Sequence, residues 1–103
     1  MKQIINGKRY DTETAQELSE HWNGRGRSDF RNLTETLFKT KAGVYFLVGK
    51  GGALTEYARQ VGDMKCNGER LIPMSPDQAL EWLERHGEAD VIEREFPDKI
   101  IDA

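Results

Sequence analysis

The run Val44–Val48 is the part of this sequence that most restricts the fold. Its five residues are all apolar, so a strand built from them would be hydrophobic on both faces and would need cover on both. Such a strand is expected in the centre of a sheet. A chain of 103 residues has room for one core of this kind. We therefore predict a single domain over residues 1–103.

The sequence that follows Met74 predicts a helix that covers this sheet. Ser75 is a favourable N-cap residue, Pro76 suits the first helical position, and Gln78 completes a capping box with Ser75. Side chains that can pack against a core then recur at helical spacing, at Ala79, Trp82, Leu83 and His86. We predict that Trp82 and Leu83 are buried.

A second short helix is predicted over Glu88–Phe96. Gly87 is expected to end the first helix, because glycine adopts the left-handed conformation of that position without strain. Ala89, Ile92 and Phe96 are expected to face inward. Together with the predicted strands, the helices indicate an α+β fold, in which a small antiparallel sheet of three to five strands packs against two to four helices.

The N-terminal residues predict a hairpin and then a helix. Asn6-Gly7 suits a two-residue turn in which both residues have positive φ. Asp11–Thr14 supplies a capping side chain and an acidic first turn, which is typical of a helix start. The apolar face of this predicted helix carries Ala15, Leu18 and Trp22.

The middle of the chain predicts further strands and short connections. β-prone residues fill Phe30–Thr40, and a short strand is expected over Arg70–Ile72, ending at Pro73. Leu54–Val61 has helical spacing and predicts a short helix. Gly49–Gly52 is interpreted as a flexible turn after the central strand.

Residues that carry catalytic or metal chemistry are sparse. The chain has one cysteine, Cys66, and two histidines, His21 and His86. Cys66 has no histidine close to it in the sequence, and both histidines lie on or near predicted apolar helical faces. Metal-binding patterns such as HExxH or a calcium loop do not occur. Gly49–Gly52 lacks the spacing of a phosphate-binding loop. We expect a protein with no catalytic residues, no bound metal and no cofactor.

The sequence also indicates where the protein works. Val44–Val48 is far shorter than the roughly 20 apolar residues of a membrane helix. The start of the chain has no apolar stretch of signal-peptide length, and a single cysteine cannot form an internal disulfide. We expect a cytoplasmic protein with no membrane partner.

Charge is distributed unevenly along the chain. Residues 1–74 contain nine acidic and twelve basic residues, whereas residues 75–103 contain nine acidic and three basic residues, a net charge of −6. A concentrated field of this kind attracts partners of opposite sign, although a charged helix can also serve only to keep the surface solvated. The candidate partner-binding residues are Glu81, Glu84, Glu88, Asp90 and Glu93.

The segment from Gly24 to Arg31 is the candidate for nucleic-acid binding. Its arginines, Arg25, Arg27 and Arg31, could contact phosphates, and its aromatic residue Phe30 could stack on a base. Tyr45 and Phe46 are candidates to extend such a surface. The overall charge of −3 opposes this interpretation, so direct binding of nucleic acid is expected to be weak or absent.

Several short motifs resemble those of a family of small, largely uncharacterised proteins carried by bacterial phages and integrative elements. The resemblance begins with Ile4–Ala15 and continues, in order, through Ser28-Asp29-Phe30, Glu35-Thr36-Leu37-Phe38, Tyr45-Phe46-Leu47, Gly51-Gly52-Ala53-Leu54, Tyr57-Ala58 and Ile72-Pro73-Met74-Ser75. Lys50 departs from the family pattern, which has an acidic residue there. Small acidic proteins of such elements resemble anti-CRISPR and other anti-defence inhibitors.

Two functions are therefore expected as alternatives. The first is a non-enzymatic, anti-CRISPR-like inhibitor that binds a host protein or nucleoprotein, such as a CRISPR effector, with the acidic residues imitating nucleic acid. The second is a small nucleic-acid-binding accessory protein of a mobile element, acting through the three arginines.

Overall fold

The computed structural model describes residues 1–103 and contains eight strands, two α-helices and one short 3-10 helix. The strands are β1 (Lys2–Ile5), β2 (Lys8–Asp11), β3 (Gln16–Trp22), β4 (Leu33–Lys39), β5 (Tyr45–Gly51), β6 (Arg59–Val61), β7 (Met64–Cys66) and β8 (Gly68–Met74). The helices are α1 (Pro76–Arg85) and α2 (Ala89–Glu95), and the 3-10 helix is Pro97–Lys99. Neither α-helix has the length and apolar character needed to cross a membrane.

Four strands form one antiparallel sheet in the order β3-β4-β5-β8. With the two helices, this sheet confirms the predicted α+β fold. β5 lies between β4 and β8, and side chains on both of its faces are buried, including Phe46 and Leu47. The central strand predicted from the apolar run is confirmed.

The helices cover one face of the sheet, and α1 begins as the sequence predicts. The Ser75 hydroxyl accepts a hydrogen bond from the backbone amide of Gln78 at 3.1 Å, and the Gln78 side chain accepts one from the amide of Ser75 at 2.8 Å. Trp82 and Leu83 are 1% and 0% exposed, which confirms their predicted burial. The core on this side contains Leu18, Leu37, Tyr45, Leu47, Ala79, Trp82, Leu83, Val91 and Phe96.

The second helix is confirmed, but its buried face differs from the prediction. Phe96 is buried and Ile92 is half-buried, as expected, whereas Ala89 is exposed. Val91 is buried instead. Gly87, with a φ of 68°, separates the two helices, α2 starts at Ala89, and Val91 packs into the core beneath α1.

The hairpin of β1 and β2 covers part of the opposite face. Its turn is the predicted one, since Asn6 and Gly7 have φ values of 51° and 77°. Tyr10 from β2 packs edge-on against Phe46, with ring centroids 5.5 Å apart. A second, smaller core contains Tyr10, Phe46, Val48 and Leu71.

The helix predicted from Asp11 is wrong. Asp11–Thr14 forms a turn, and β3 takes the place of the helix. The pairing of β3 with β4 shifts register between Glu17 and Ser19, which marks a bulge. Because the bulge interrupts the usual alternation, Leu18 enters the helix-side core while Trp22 is exposed. The spacing of these apolar residues therefore imitates a helix.

Three smaller predictions are also corrected around β5. Gly49 and Gly51 lie within the strand and do not form a flexible turn. A Cβ on Gly49 would overlap the ring of Tyr57, so glycine is required there for packing. Leu54–Val61 is not a helix, because Tyr57 enters the structure from a turn and the chain continues into the β6–β7 hairpin. β8 continues through Pro73, which an edge strand tolerates.

Candidate functional site

The five acidic residues expected to bind a partner all belong to the helical layer. Glu81 and Glu84 lie in α1, Glu88 precedes α2, and Asp90 and Glu93 lie in α2. Glu88 is half-buried and the other four are exposed. We call these five residues the acidic helical surface. Because the other sides of both helices are anchored in the core, these carboxylates are carried by ordered elements.

Most of the charge on the acidic helical surface is not neutralised. Glu81 pairs with Arg85, at 3.7 Å between Oε1 and Nη2, and the other four residues have no basic partner within 4.0 Å. Glu95 of α2 behaves differently, because its carboxylate accepts a hydrogen bond from Lys39 Nζ at 2.9 Å. This bond lowers the pKa of Glu95 and raises the pKa of Lys39. Glu95 thus attaches α2 to β4.

The arginine-rich segment between β3 and β4 is held in place by hydrogen bonds. Asn23 Nδ2 donates to the carbonyl of Arg31 at 2.7 Å, and Asn32 Nδ2 donates to two backbone carbonyls of the segment at 3.2 Å. The carboxylate of Asp29 accepts hydrogen bonds from the backbone amide of Arg31 and from the side chain of Arg25. Both lower the pKa of Asp29. The segment is therefore a loop fixed by hydrogen bonds to its own backbone and side chains.

Two of the three candidate arginines share a surface pocket. Arg25 and Arg27 line a pocket of about 560 Å³ together with Trp22 and Lys50, whereas Arg31 does not. An adjoining pocket of about 480 Å³ shares Lys50 and is also lined by Arg59. We call the surface formed by both pockets the sheet groove; its principal residues are Trp22, Arg25, Arg27, Asn32, Lys50 and Arg59.

Sequence reasoning missed the aromatic residue of this groove. Trp22 was expected on a buried helical face, but it is 58% exposed. Tyr45 and Phe46 were expected to extend a nucleic-acid surface, and both are buried because β5 is the central strand. Trp22 and Lys50 come together because each lies opposite Thr34 in the paired strands. That register cannot be read from the local sequence.

A buried polar cluster lies between the sheet and α1. The carboxylate of Glu35 accepts hydrogen bonds from Tyr57 Oη and from Trp82 Nε1, the second at 3.1 Å. The rings of His21 and His86 stack with centroids 3.9 Å apart. His86 Nε2 lies 3.9 Å from Glu35 Oε1 and has no hydrogen-bond partner. Burial raises the pKa of the Tyr57 hydroxyl, and the hydrogen bond to the Glu35 carboxylate raises it further.

The stacked histidines predict a loss of stability in mild acid. Burial, reinforced by the proximity of His21, lowers the pKa of His86 below its ordinary 6.5. The unfolded chain therefore binds a proton more readily than the folded one, and the free energy of unfolding should fall as the pH drops below 6.5. The pKa of Glu95 is lowered from its ordinary 4.5. Protonation of this carboxylate therefore changes the free energy of unfolding only at more acidic pH.

Urea denaturation between pH 7.5 and 5.5 measures this effect. The variant His86→Gln should show a smaller change in the free energy of unfolding across that range than the wild-type protein. Equal pH dependence in the two proteins would mean that His86 does not titrate in this way.

No group of three or more histidine, cysteine, aspartate or glutamate residues is arranged to hold a metal ion.

Comparison with known protein families, with curated proteins and with solved structures finds no match for this chain.

Proposed function

We propose that this protein is a non-enzymatic inhibitor that binds a host nucleoprotein through the acidic helical surface. The observation that carries the proposal is the placement of four exposed or half-buried carboxylates, without ion-pair partners, on and between two helices anchored to one core. The surface would occupy a site that normally holds nucleic acid, as an electrostatic mimic of phosphate groups.

Charge and rigidity both support this role. Residues 75–103 carry a net charge of −6, and a field of that sign is attracted to the lysine- and arginine-rich channels that bind nucleic acid. Trp82 and Leu83, both fully buried, fix the helix that carries Glu81 and Glu84. Carboxylates on a fixed helix lose less conformational entropy on binding than those of a disordered acidic tail.

The choice of target class rests on the resemblance to proteins of phages and integrative elements. Such elements gain from inhibiting cytoplasmic defence complexes that bind nucleic acid. We therefore propose a CRISPR effector as the partner and the cytoplasm as the place of action. In this role the protein needs no catalytic residue, metal or cofactor, since occupying the site is enough to inhibit.

Inhibition of target-DNA binding by purified CRISPR effector complexes tests the proposal. The wild-type protein is added to each effector, and the affinity of that effector for its target DNA is measured. The variant Glu84→Lys/Glu93→Lys should inhibit at least about 10-fold less, because like charges at a desolvated interface cost several kcal/mol. Both residues lie toward the C-terminal ends of their helices, where lysine is compatible with the helix dipole.

The matched control is Glu13→Lys/Glu56→Lys. Both of these residues are exposed, have no ion-pair partner and lie outside the helices, so the variant changes the net charge by the same amount. It should inhibit as strongly as the wild-type protein. Absence of inhibition by the wild-type protein across effector types, or equal loss in the two variants, would contradict the proposal.

A further inference from the structure

We propose that the sheet groove is a binding site for single-stranded nucleic acid, with Trp22 as the platform on which a base stacks. This site is separate from the acidic helical surface, and the inference does not depend on the function proposed for that surface. Its ligand would be a short unpaired segment of DNA or RNA.

The two surfaces lie on opposite sides of the sheet. Glu35 contacts Trp82 of α1, and His21 stacks on His86, the C-cap residue of α1, so both side chains point toward the helices. Thr34 and Trp22 are their neighbours in the chain, and alternation along a strand turns them to the other face. The groove therefore opens on the side of the sheet that the helices do not cover.

The indole of Trp22 is exposed and also held in one orientation. Its Nε1 donates a hydrogen bond to the backbone carbonyl of Arg25 at 2.8 Å, while the residue as a whole is 58% exposed. A fixed ring loses little rotamer freedom when a base stacks on it. Stacking on an aromatic ring accepts any base, but it requires the base face to be free, which a duplex does not offer.

The groove also supplies cations for the phosphates that flank a stacked base. Arg27 is exposed and has no ion-pair partner. Arg25 pairs with Asp29 at 3.2 Å and Lys50 with Glu69 at 3.7 Å. Exposed ion pairs of this kind contribute little free energy, so phosphates can replace the carboxylates as partners of Arg25 and Lys50. Arg59 extends the basic lining into the adjoining pocket.

The negative net charge of the whole chain does not prevent nucleic acid from binding at the sheet groove, for two reasons. Residues 1–74, which form the whole groove, carry a net charge of +3. The acidic residues of the helices lie beyond the sheet, and at physiological ionic strength charges are screened over about 8 Å. Glu20 and Glu69 also line the two pockets. They reduce the positive potential locally, so we expect stacking to contribute more than charge.

Fluorescence anisotropy with labelled 12-nucleotide probes tests this site. Oligothymidine and oligouridine should bind at 50 mM salt at least about 10-fold more tightly than a 12-base-pair duplex. The affinity should fall with salt with a logarithmic slope of about 3 or less, since four cations each release about 0.7 counterion from a single strand. Stacking of a base should also quench the fluorescence of Trp22. The change can be assigned to Trp22 because the other tryptophan, Trp82, is buried.

Substitutions of Trp22 separate stacking from a structural role. Trp22→Ala should weaken binding of the single strand by about 5- to 150-fold. Trp22→Phe keeps an aromatic face but loses the hydrogen bond to Arg25, and it should restore most of the affinity. If a folded Trp22→Ala protein bound as tightly as wild type, or if Trp22→Phe bound as weakly as Trp22→Ala, stacking would be excluded.

Matched charge variants complete the test. Arg27→Ala should reduce the salt slope by about 0.7, whereas Arg9→Ala, an equal change at an exposed residue of the β1–β2 hairpin, should leave it unchanged. Glu84→Lys/Glu93→Lys should bind the strand at least as well as wild type, which separates this site from the acidic helical surface. No binding at 50 mM salt, duplex binding as tight as single-strand binding, or equal competition by an acidic peptide would overturn the proposal.

Discussion

Replacing Trp82 with alanine should lower the free energy of unfolding by about 3–5 kcal/mol, which is typical of removing a large aromatic side chain from a core. Trp82 is 1% exposed and packs within the core that joins α1 to the sheet. Its removal leaves a cavity and also takes a hydrogen-bond donor from the buried carboxylate of Glu35. Urea denaturation followed by far-ultraviolet circular dichroism measures the loss.

Trp22→Ala is the matched control, because it makes the same change at a tryptophan that is 58% exposed. Its effect should stay below about 1 kcal/mol, as is usual for surface positions. Equal losses in the two variants, or an unchanged stability of Trp82→Ala, would contradict the packing of α1 on the sheet.

Replacing Gly68 with alanine should lower the free energy of unfolding by about 3 kcal/mol, at the upper end of what overpacking costs. A Cβ on Gly68 would overlap the backbone carbonyl of Tyr57. Backbone cannot move aside as a flexible side chain can, so the turn that carries Tyr57 would be displaced. The hydrogen bond from Tyr57 to Glu35 would be lost with it.

Gly26→Ala provides the control for this substitution. A Cβ on Gly26 would meet no atom within 4 Å, so its stability should stay within about 0.5 kcal/mol of the wild type. The thermal unfolding midpoint of both variants is a sufficient measurement. A Gly68→Ala protein as stable as Gly26→Ala would mean that the backbone carbonyl of Tyr57 does not lie against Gly68.

Elements with strong local signals were predictable from the sequence. The capping box of Ser75 and Gln78 defines the start of α1, because their side chains hydrogen-bond to free backbone amides there. Asn6-Gly7 defines the first hairpin, because both residues adopt the positive φ that its turn requires. The apolar run at β5 predicts a central strand, since no other position in a sheet covers both faces. These features need no information from distant residues.

Elements that depend on distant pairing were not predictable. The apolar residues of β3 are four positions apart, which also fits a helix, and only pairing with β4 selects the strand and its bulge. Tyr57 enters the structure because Gly49 and Gly68 leave room for its ring and its carbonyl, which helical spacing over Leu54–Val61 does not reveal.

The same division applies to the candidate sites. The acidic helical surface follows from composition and helical spacing. The sheet groove combines Trp22 with Lys50, two residues brought together by the register of β3, β4 and β5. The buried cluster around Glu35 was missed for the same reason, since its hydrogen-bond donors come from a turn and a helix more than twenty residues away.

The rate at which this protein associates with a CRISPR effector that it inhibits tests the proposed role of the acidic helical surface most directly. The rate constant is measured for the wild-type protein, for Glu84→Lys/Glu93→Lys and for Glu13→Lys/Glu56→Lys over a series of salt concentrations. Electrostatic attraction should make association of the wild type and of the control fast at low salt and slower as salt rises. Association of Glu84→Lys/Glu93→Lys should be at least about 10-fold slower at low salt and should depend little on salt. Equal rate constants and equal salt dependence for all three proteins would contradict the proposal and place the interface elsewhere.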